Sequence, residues 1–356
     1  MIFAWISFGI ILVAVLLAYI VYGSSFHPKP IENVKVHTQT NAPVLKKGQK
    51  IKVLSWNVQY MAGKNNVFFY DLIEFDGPDI MPSLKDTKTT LKEVARVIKA
   101  EDPDIILIQE LDKGARRTYK QDQLKDLMNL LPKEYRCYVQ TYYWKSFFVP
   151  HPKIFGSVGL TQAVISKYEI KKAKRHQLPI VPSDPITAQY YLKRCVLQAH
   201  IPVQDEEDLM ACTVHLDAFA QGTNTLKKQL KKVYNLLANF DKKNLKWLIG
   251  GDFNLLMPGK SYDRLAEHQK PYYRPKSELE KLSNNYKSVP SKTEINGPDY
   301  KKWYTHFPND PKVKALDRTI DYIFYSDNLK LKEHKIRQKD TQKISDHLPV
   351  IANFTV

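Results

Sequence analysis

Short apolar runs that lead into polar side chains constrain the fold of this chain more than any other feature. Leu248-Ile249 is followed by Gly250-Gly251-Asp252-Phe253-Asn254, and Ile105 to Ile108 is followed by Gln109-Glu110. Such runs, bounded by turn residues, indicate buried strands, and two glycines let the backbone turn easily. Alternate residues of an extended chain point the same way, so Asp252 and Asn254 can face one point. The pattern predicts a sheet that gathers polar groups at one end.

Amphipathic stretches separate these apolar runs. Helical spacing of apolar residues predicts helices over Thr89 to Ala100, Leu124 to Leu131 and Asn224 to Phe240. The polar region from Pro258 to Pro311 predicts long loops beside a site. At 356 residues, the chain has a length suited to one large α/β or sandwich domain. Predicted strands cover residues 51–58, 105–108, 160–166, 195–201, 209–215, 247–250, 320–325 and 350–354.

The N-terminal stretch from Ile2 to Tyr22 carries no charge and is long enough to span a bilayer as a helix. It lacks the basic start and the small-residue cleavage site of a signal peptide. We therefore expect an N-terminal transmembrane helix at residues 1–23, a linker at 24–50 and one large domain at 51–356. Lys29 and Lys35 follow the span and no basic residue precedes it, which favours a single-pass protein with a cytoplasmic domain.

The composition points to anionic partners. The net charge is +17, mostly from lysine, so nucleic acid, anionic membrane and phosphorylated small molecules are candidate partners. Solvated, lysine-rich helix faces are the structural alternative. Cys137, Cys195 and Cys212 lack the spacing of a metal site and are expected to be buried free thiols.

Six predicted strand ends carry groups suited to chemistry. Each has a structural alternative: an asparagine can cap a turn, a histidine can be satisfied in the core, and Asp321 can pair with Arg318. It is improbable that all six strand ends carry such groups for structural reasons alone. Carboxylates together with amides suit the binding of a hydrated Mg²⁺ and of a phosphate oxygen. The candidates are Asn57, Glu110, His215 with Asp217, Asp252 with Asn254, Asp321, and Asp346 with His347.

These positions lie in motifs that resemble, in order, those of the endonuclease/exonuclease/phosphatase superfamily. The resemblance covers the chain from about Ile51 to Val356 and implies an α/β fold, the four-layer αββα sandwich of DNase-I-like proteins. It also implies a metal-dependent phosphoric ester hydrolase. The motifs are Ser55-Trp56-Asn57-Val58, Ile108-Gln109-Glu110, Thr213-Val214-His215-Leu216-Asp217, Gly251-Asp252-Phe253-Asn254, Ile320-Asp321-Tyr322-Ile323 and Ser345-Asp346-His347-Leu348-Pro349-Val350.

In-line hydrolysis of a phosphoester then suggests the roles of these residues. Glu110, Asn57 and Asp346 are the candidate ligands of Mg²⁺, with Mn²⁺ as an alternative.

His347 is the candidate general base, and Asp321 is expected to fix its tautomer. Asp252 would position the attacking water, while Asn254 and His215 would donate to non-bridging oxygens. Asp217 is expected to support the site from behind.

Two departures narrow the branch of the superfamily. His215 stands where apurinic-site endonucleases usually carry Asn, and Ile320 and Tyr322 replace the Cys and Arg that flank the corresponding aspartate of inositol phosphatases. A DNase-like nuclease, a lipid head-group phosphodiesterase such as a sphingomyelinase, and a less specialised member of the superfamily remain.

The N-terminal span and the aromatic run Tyr142 to Phe148 favour a membrane-anchored phosphodiesterase with a sphingomyelinase-like lipid substrate. Arg117 and Trp144 are the candidate substrate-binding residues, although the aromatic run also fits a buried strand. A nuclease acting on DNA or RNA is the alternative, and a non-catalytic binding member is the second. No obligate protein partner is evident.

Overall fold

Two seven-stranded mixed sheets form the centre of the molecule in this computed structural model, which describes residues 2–38 and 40–356. In the first sheet the strand order is β13-β14-β3-β4-β6-β5-β2, and in the second it is β1-β7-β8-β9-β10-β12-β11. The strands are β1 (Ile31–Val34), β2 (Val36–His37), β3 (Lys50–Asn57), β4 (Ile105–Asp112), β5 (Cys137–Val149), β6 (Gly156–Ser166), β7 (Lys172–Gln177), β8 (Cys195–Ile201), β9 (Leu209–His215), β10 (Trp247–Asp252), β11 (Lys287–Val289), β12 (Asp321–Tyr325), β13 (Lys330–Ile336) and β14 (Val350–Thr355).

Helices cover the outer faces of both sheets. The core between the sheets joins Leu107 and Val164 of the first sheet to Leu197 and Leu248 of the second. A second core packs α5 on the second sheet, and a third packs α2 and α3 on the first. The result is the expected αββα layering. The helices are α1 (Ile2–Ser24), α2 (Leu84–Glu101), α3 (Gln123–Leu130), α4 (Pro185–Tyr190), α5 (Thr225–Lys242), α6 (Glu280–Asn285) and α7 (Lys292–Asn296).

Most predicted elements are present, while several polar strands are additional. β8 and β9 have the predicted bounds, and the three predicted helices correspond to α2, α3 and α5. β7 and β13 were missed because Lys-Ala-Lys-Arg-His-Gln and Lys-Leu-Lys-Glu-His-Lys-Ile lack a clear apolar run. The predicted loops between Pro258 and Pro311 contain short helices such as α6 and α7. The three cysteines are buried and free, as predicted.

The two glycines before Asp252 do not form the expected turn, because both lie inside β10. A Cβ on Gly250 would stand 2.7 Å from Leu107 Cδ1 of the facing sheet. A Cβ on Gly251, whose φ is +153°, would stand 1.8 Å from the Val214 carbonyl oxygen. Close packing around β10, rather than a change of chain direction, therefore requires these glycines.

The segment predicted as a linker, residues 24–50, instead contributes β1 and β2. β1 pairs antiparallel with β7 of the second sheet, and β2 pairs antiparallel with β5 of the first. Val34 and Val36 pack against the core between the sheets, and this burial explains why the segment is ordered onto the domain. Gln39 of this segment and Met1 of the predicted anchor lie outside the described residues.

The predicted N-terminal helix is present as α1. Among the residues that the structure describes, no helix has the length and apolar character needed to cross a membrane. The prediction of a transmembrane anchor is therefore not confirmed. Exposed apolar side chains of α1 include Phe3 and Trp5. Its C-terminal end contacts the domain, where Ser146 Oγ donates to the Ser24 carbonyl at 2.7 Å and the Ser24 and Tyr190 hydroxyls lie 3.2 Å apart.

Candidate active site

The strand directions bring the predicted polar residues to one end of the sandwich. β3 and β4 are parallel and finish near Asn57 and Glu110, while β9 and β10 are parallel and finish at His215 and Asp252. β12 runs antiparallel to β10, so its first residue, Asp321, lies beside Asp252 in the register. β14 is likewise antiparallel to β3, which places the preceding Asp346-His347 at this end. We call Asn57, Glu110, His215, Asp252, Asn254, Asp321, Asp346 and His347 the polar cluster.

Asp252 lies at the centre of the polar cluster. Its Oδ2 accepts a hydrogen bond from Asn57 Nδ2 at 3.1 Å, and it lies 3.3 Å from His215 Nε2 and 3.4 Å from His347 Nε2. Its Oδ1 accepts from the backbone N–H of Asn254 at 2.9 Å. One carboxylate therefore contacts residues from both sheets and couples them at the site.

His347 is held in one orientation by its neighbours. Its Nδ1 lies 2.9 Å from Asp321 Oδ2, which leaves Nε2 facing Asp252. The indole N–H of Trp56 donates to the His347 carbonyl at 2.9 Å, and Ser345 Oγ donates to the Asn57 carbonyl at 2.9 Å. These contacts give the carboxylate–imidazole pair that the sequence predicted.

A bulge in β4 directs Glu110 into the site. The pairing of β4 with β6 shifts between Gln109 and Leu111, and Glu110 itself has a φ of +60°. Such a positive φ is uncommon for a residue with a side chain and is often found where function imposes it. Asn57 Nδ2 donates to Glu110 Oε1 at 3.1 Å, so the bulge places this carboxylate beside the amide of β3.

Burial and mutual repulsion change the acid–base properties of the carboxylates. Burial, with the nearby Asp346 charge, raises the pKa of Glu110. Burial also raises the pKa of Asp252 to about 7, with Asp321 adding to this effect and His347 opposing it. Both groups would ionise more readily beside a cation.

The two histidines of the polar cluster differ in charge. Burial alone would lower the pKa of His347, but the carboxylates of Asp321, Asp252 and Asp346 outweigh burial and hold that pKa well above its usual range. Burial and the Arg194 cation lower the pKa of His215 well below its usual range. His215 therefore favours its neutral form, and His347 holds a proton more tightly than a free imidazole does.

The donor set fits a divalent cation. Glu110 and Asp346 offer carboxylate oxygens, and Asn57 Oδ1 accepts one hydrogen bond, from the Gln59 backbone, which leaves a lone pair. Among the described residues, ligand atoms of His306, Asp346 and His347 also lie within 4.8 Å of one another, as do those of Asp252, Asp321 and His347. We favour the oxygen-rich set for a hard cation, because His347 Nδ1 already bonds Asp321.

The polar cluster forms the base of a cavity of about 740 Å³. Glu110, His215, Asp252, Asn254, Asp346 and His347 reach the cavity surface, while Asn57 and Asp321 support it from behind. The upper walls are largely apolar and aromatic, in contrast to the base. They include Phe69, Ile73, Phe75, Trp144, Phe219 and Tyr272.

Arg117 and Trp144, the predicted substrate-binding residues, both line this cavity. The Arg117 guanidinium is already paired with Asp112 through two hydrogen bonds of 2.8 and 3.0 Å and stacks over the Tyr60 ring. The Trp144 indole N–H donates to the Tyr190 carbonyl at 2.7 Å. Both side chains therefore shape the wall, and their contact with substrate stays a prediction.

Two other sequence predictions acquire local detail. Asn254 Nδ2 donates to the Leu216 carbonyl at 3.1 Å, so one of its two amide hydrogens is already used. Asp217 is fully buried and accepts from the Tyr191 hydroxyl at 3.3 Å and the Phe219 backbone at 3.0 Å. Asp217 thus contacts two residues of the cavity wall, and its supporting role stays a prediction.

Sequence reasoning missed several residues that face the cavity or touch the cluster. The Tyr143 hydroxyl lies 3.3 Å from His215 Nδ1, and the His306 ring packs edge-on against the His347 ring at 4.5 Å. Asp71 is half-buried and accepts a hydrogen bond from Asn309 Nδ2 at 2.9 Å, and desolvation with the Asp346 charge raises its pKa to about 7. Asp71 and His306 lie in segments without periodicity, where the sequence carries no signal for them.

Comparison with known proteins was made for the whole chain. The Endonuclease/Exonuclease/phosphatase family profile matches residues 54–347. No curated protein matches the chain. Among solved structures, the chain resembles an endonuclease/exonuclease/phosphatase from Beutenbergia cavernae DSM 12333 with 20% identity and a TM-score of 0.55, covering 86% of this chain and 72% of that one.

Two further solved structures are similar in fold. Truncated Caenorhabditis elegans TDP2 shows 17% identity and a TM-score of 0.51, covering 87% of this chain and 99% of that one. The human Nocturnin catalytic domain with a bound sulfate anion shows 16% identity and a TM-score of 0.50, covering 87% and 95%. At these identities the likeness concerns the fold.

Proposed function

Because the chain belongs to the endonuclease/exonuclease/phosphatase family, we propose that it is a divalent-metal-dependent phosphoester hydrolase whose favoured substrates are phospholipids. The observation that carries this proposal is the cavity, which joins the polar cluster at its base to apolar walls above. A phosphate at the base and an apolar substituent above would fit both parts.

The polar cluster supports the hydrolytic part of the proposal. Glu110, Asp346 and the Asn57 amide oxygen would hold Mg²⁺, which supplies charge neutralisation at phosphoryl oxygens. His215, which favours its neutral form, and the free amide hydrogen of Asn254 would donate to those oxygens.

His347 and Asp252 would together accept the proton of the attacking water. Their Nε2 and Oδ2 atoms lie 3.4 Å apart and both residues reach the cavity. Asp346 is one of the carboxylates that raise the pKa of His347, so its engagement with a cation would lower that pKa and free Nε2 to accept a proton. Asp321 keeps Nδ1 occupied and so directs the transfer to Nε2.

Exposed apolar residues around the cavity support a lipid substrate. Ile73, Phe75 and Ile80 line the cavity and are 44%, 52% and 42% exposed. Phe155 follows the cavity residue Ile154, and Phe147 lies three residues beyond Trp144. Exposed apolar patches commonly mark sites of contact with membranes or partners. We call Ile73, Phe75, Ile80, Phe147 and Phe155 the apolar rim.

The end of α1 supports contact with a membrane. Ser24 touches Ser146 of β5 and Tyr190 of α4, and Tyr190 also lines the cavity. The C-terminal end of α1 therefore lies beside elements that line the cavity. Lipid contact at α1 and at the apolar rim would bring the cavity to the membrane surface. The cytoplasmic side stays a prediction from Lys29 and Lys35.

A substrate panel tests the function. Full-length protein with Mg²⁺ would be assayed on vesicles of sphingomyelin, phosphatidylcholine or phosphoinositides, on DNA and RNA, and on a small soluble diester. We expect turnover of at least one vesicle-borne lipid that chelation of the metal abolishes. Metal-dependent cleavage of nucleic acid with no turnover of any lipid would contradict the lipid assignment.

We expect the double variant Phe147→Ser, Phe155→Ser to lower turnover of vesicle-borne lipid and to spare the small diester. These side chains are 85% and 61% exposed, so their loss removes contact with lipid without opening the core. Each buried apolar side chain is worth about 1.5–3 kcal/mol, so vesicle affinity should fall at least tenfold. Vesicle sedimentation and initial rates measure the two effects.

Val44→Ser serves as the matched control for this pair. Val44 is 39% exposed, and its neighbour Leu45 bridges Val203 at the opposite end of the sandwich from the polar cluster. This variant should bind and turn over vesicles normally. Equal losses in Val44→Ser and in the rim variant would show that the apolar rim has no special role.

A nuclease is the second candidate, because the charge of +17 favours phosphate backbones and aromatic walls can stack bases. Nuclease activity would fall steeply as salt rises, through loss of counterion release. Turnover of lipid would depend instead on vesicle concentration and on the apolar rim. The panel repeated at two salt concentrations therefore separates the two functions.

A further inference from the structure

Arg194 is a buried cation in the cavity wall, and two of its guanidinium nitrogens, Nε and Nη1, have no hydrogen-bond partner among the described residues. The residue is 3% exposed and lines the same cavity as the polar cluster. A buried charge with unpaired donors is costly, so its presence in a cavity wall points to a ligand that supplies the missing acceptors.

The other buried arginines make several side-chain hydrogen bonds each, although Arg175 Nη1 also lacks a partner among the described residues. Arg175 donates to the Tyr142 carbonyl, to Gln177 Oε1 and to the Lys193 carbonyl. Arg318 donates to Asp317 and Gln269, and Arg117 pairs with Asp112. Arg194 differs from these arginines because neither its Nε nor its Nη1 finds an acceptor among the described residues.

The position of Arg194 relates it to the reacting end of the cavity. Its guanidinium carbon lies 4.9 Å from the centre of the Tyr143 ring, and the Tyr143 hydroxyl lies 3.3 Å from His215 Nδ1. The charge of Arg194 also acts directly on His215, whose pKa it helps to lower. The guanidinium thus lies on the His215 side of the site. His215 is on β9 and Asp321 is on β12, with β10 between these two strands.

We propose that Arg194 binds the anionic oxygens of the substrate phosphate. Its planar fork suits two oxygens of one phosphoester, and burial strengthens such charge-assisted hydrogen bonds. The inference rests on the proposed function and deepens it. It names the residue that would neutralise the negative charge of the phosphate on the His215 side of the site.

Asp217 offers the rival explanation for Arg194. Its Oδ2 is buried and has no hydrogen-bond partner among the described residues, and both Asp217 and Arg194 act on the pKa of Tyr191. If the two charges only compensate each other, neither would respond to phosphate. The Asp217 carboxylate and the Arg194 guanidinium do not form an ion pair, however. Ion pairs among the described residues have N–O distances of up to 4.0 Å, and these two groups lie farther apart.

Calorimetric titration of the full-length protein with inorganic phosphate and with dimethyl phosphate tests the proposal without turnover. We expect Arg194→Met to weaken both affinities by about 10- to 100-fold, the effect of losing hydrogen bonds to a charged group. Arg194→Lys keeps the charge and should lose less. Arg96→Met, which removes a surface charge paired with Glu93 and Asp340, should change affinity less than twofold.

Thermal melts separate binding from folding in the same variants. Without phosphate, Arg194→Met should melt no lower than the parent protein, because an uncompensated buried charge is removed. Phosphate should raise the melting temperature of the parent protein and not that of this variant. The proposal would be overturned if Arg194→Met lost as much stability as Asp217→Asn and kept the phosphate affinity of the parent protein. That result would show that Arg194 and Asp217 only compensate each other's charge.

Failure of the proposed function is distinguishable from failure of this inference. If no phosphoester were hydrolysed but Arg194→Met still abolished phosphate binding, the hydrolase would be contradicted and the binding role of Arg194 supported. The opposite outcome would be hydrolysis of lipid by the parent protein together with equal phosphate affinities in the parent protein, Arg194→Met and Arg194→Lys. In that case Arg194 would have no role in binding phosphate.

Discussion

We expect the Glu110→Gln variant to lose metal-stimulated turnover while keeping its fold. The change removes one carboxylate from the oxygen-rich set and preserves the shape of the side chain. Loss of an outer partner of a metal ligand typically costs about 10- to 100-fold, so loss of a direct ligand should exceed that range. The metal-free fold should survive, because burial already raises the pKa of Glu110 and disfavours its charge.

A thermal melt with and without Mg²⁺ gives a second measurement of the same variant. A ligand at one hundred times its Kd stabilises the folded state by about 2.7 kcal/mol. The parent protein should show this metal-dependent rise and Glu110→Gln should not.

Glu101→Gln is the matched control for Glu110→Gln. Glu101 is also buried but pairs with Arg337 at 2.8 Å and Lys335 at 3.0 Å, away from the polar cluster. The control should lower stability and leave the response to metal unchanged. A normal metal response in Glu110→Gln would remove Glu110 from the metal site.

His347→Ala should lower kcat by about 10²- to 10⁴-fold, the usual contribution of general acid–base catalysis. Asp321→Asn should impair the same step, because Asp321 holds His347 Nδ1 at 2.9 Å. The double variant should then lose much less than the product of the two single losses. Fully multiplicative losses would show that the two residues act independently.

The pH dependence of the activity of Asp321→Asn gives a further measurement. It would stay unchanged if the role of Asp321 were purely structural. Asp321 is the largest of the charges that raise the pKa of His347, so its removal lowers that pKa. If neutral His347 accepts the proton, the rise of activity with pH should move to lower pH in this variant. His334→Ala is the control, because His334 lies on β13 and pairs with Glu294 of α7. This variant should leave both the rate and the pH profile unchanged.

The sequence predicted those parts of the site that follow from strand order. Asn57, Glu110, His215 and Asp252 end apolar runs, and the burial of such runs in a sheet brings their ends together. Asp321 lies beside Asp252 only because β12 is antiparallel to β10, a pairing that no local pattern encodes.

Features set by long-range contacts were not predictable. The bulge at Glu110 depends on the register with β6, and the need for Gly251 depends on the closeness of Val214 on β9. The apolar wall comes from residues such as Phe75 and Tyr272, in segments without periodicity. Arg194 directly precedes a predicted strand, yet the fact that its Nε and Nη1 find no acceptor in the part of the chain that the structure describes appears only in three dimensions.

The short segment that carries β1 and β2 supplies one end strand to each sheet. β1 pairs with β7 of one sheet and β2 pairs with β5 of the other, with only Lys35 between them in the chain. A protein shortened to Ile51, close to where the family match begins, would expose backbone amides and carbonyls of β7 and β5. Such unpaired strands are templates for strand addition by other molecules. We therefore expect a form shortened to Ile51 to aggregate more readily than one that begins before Ile31.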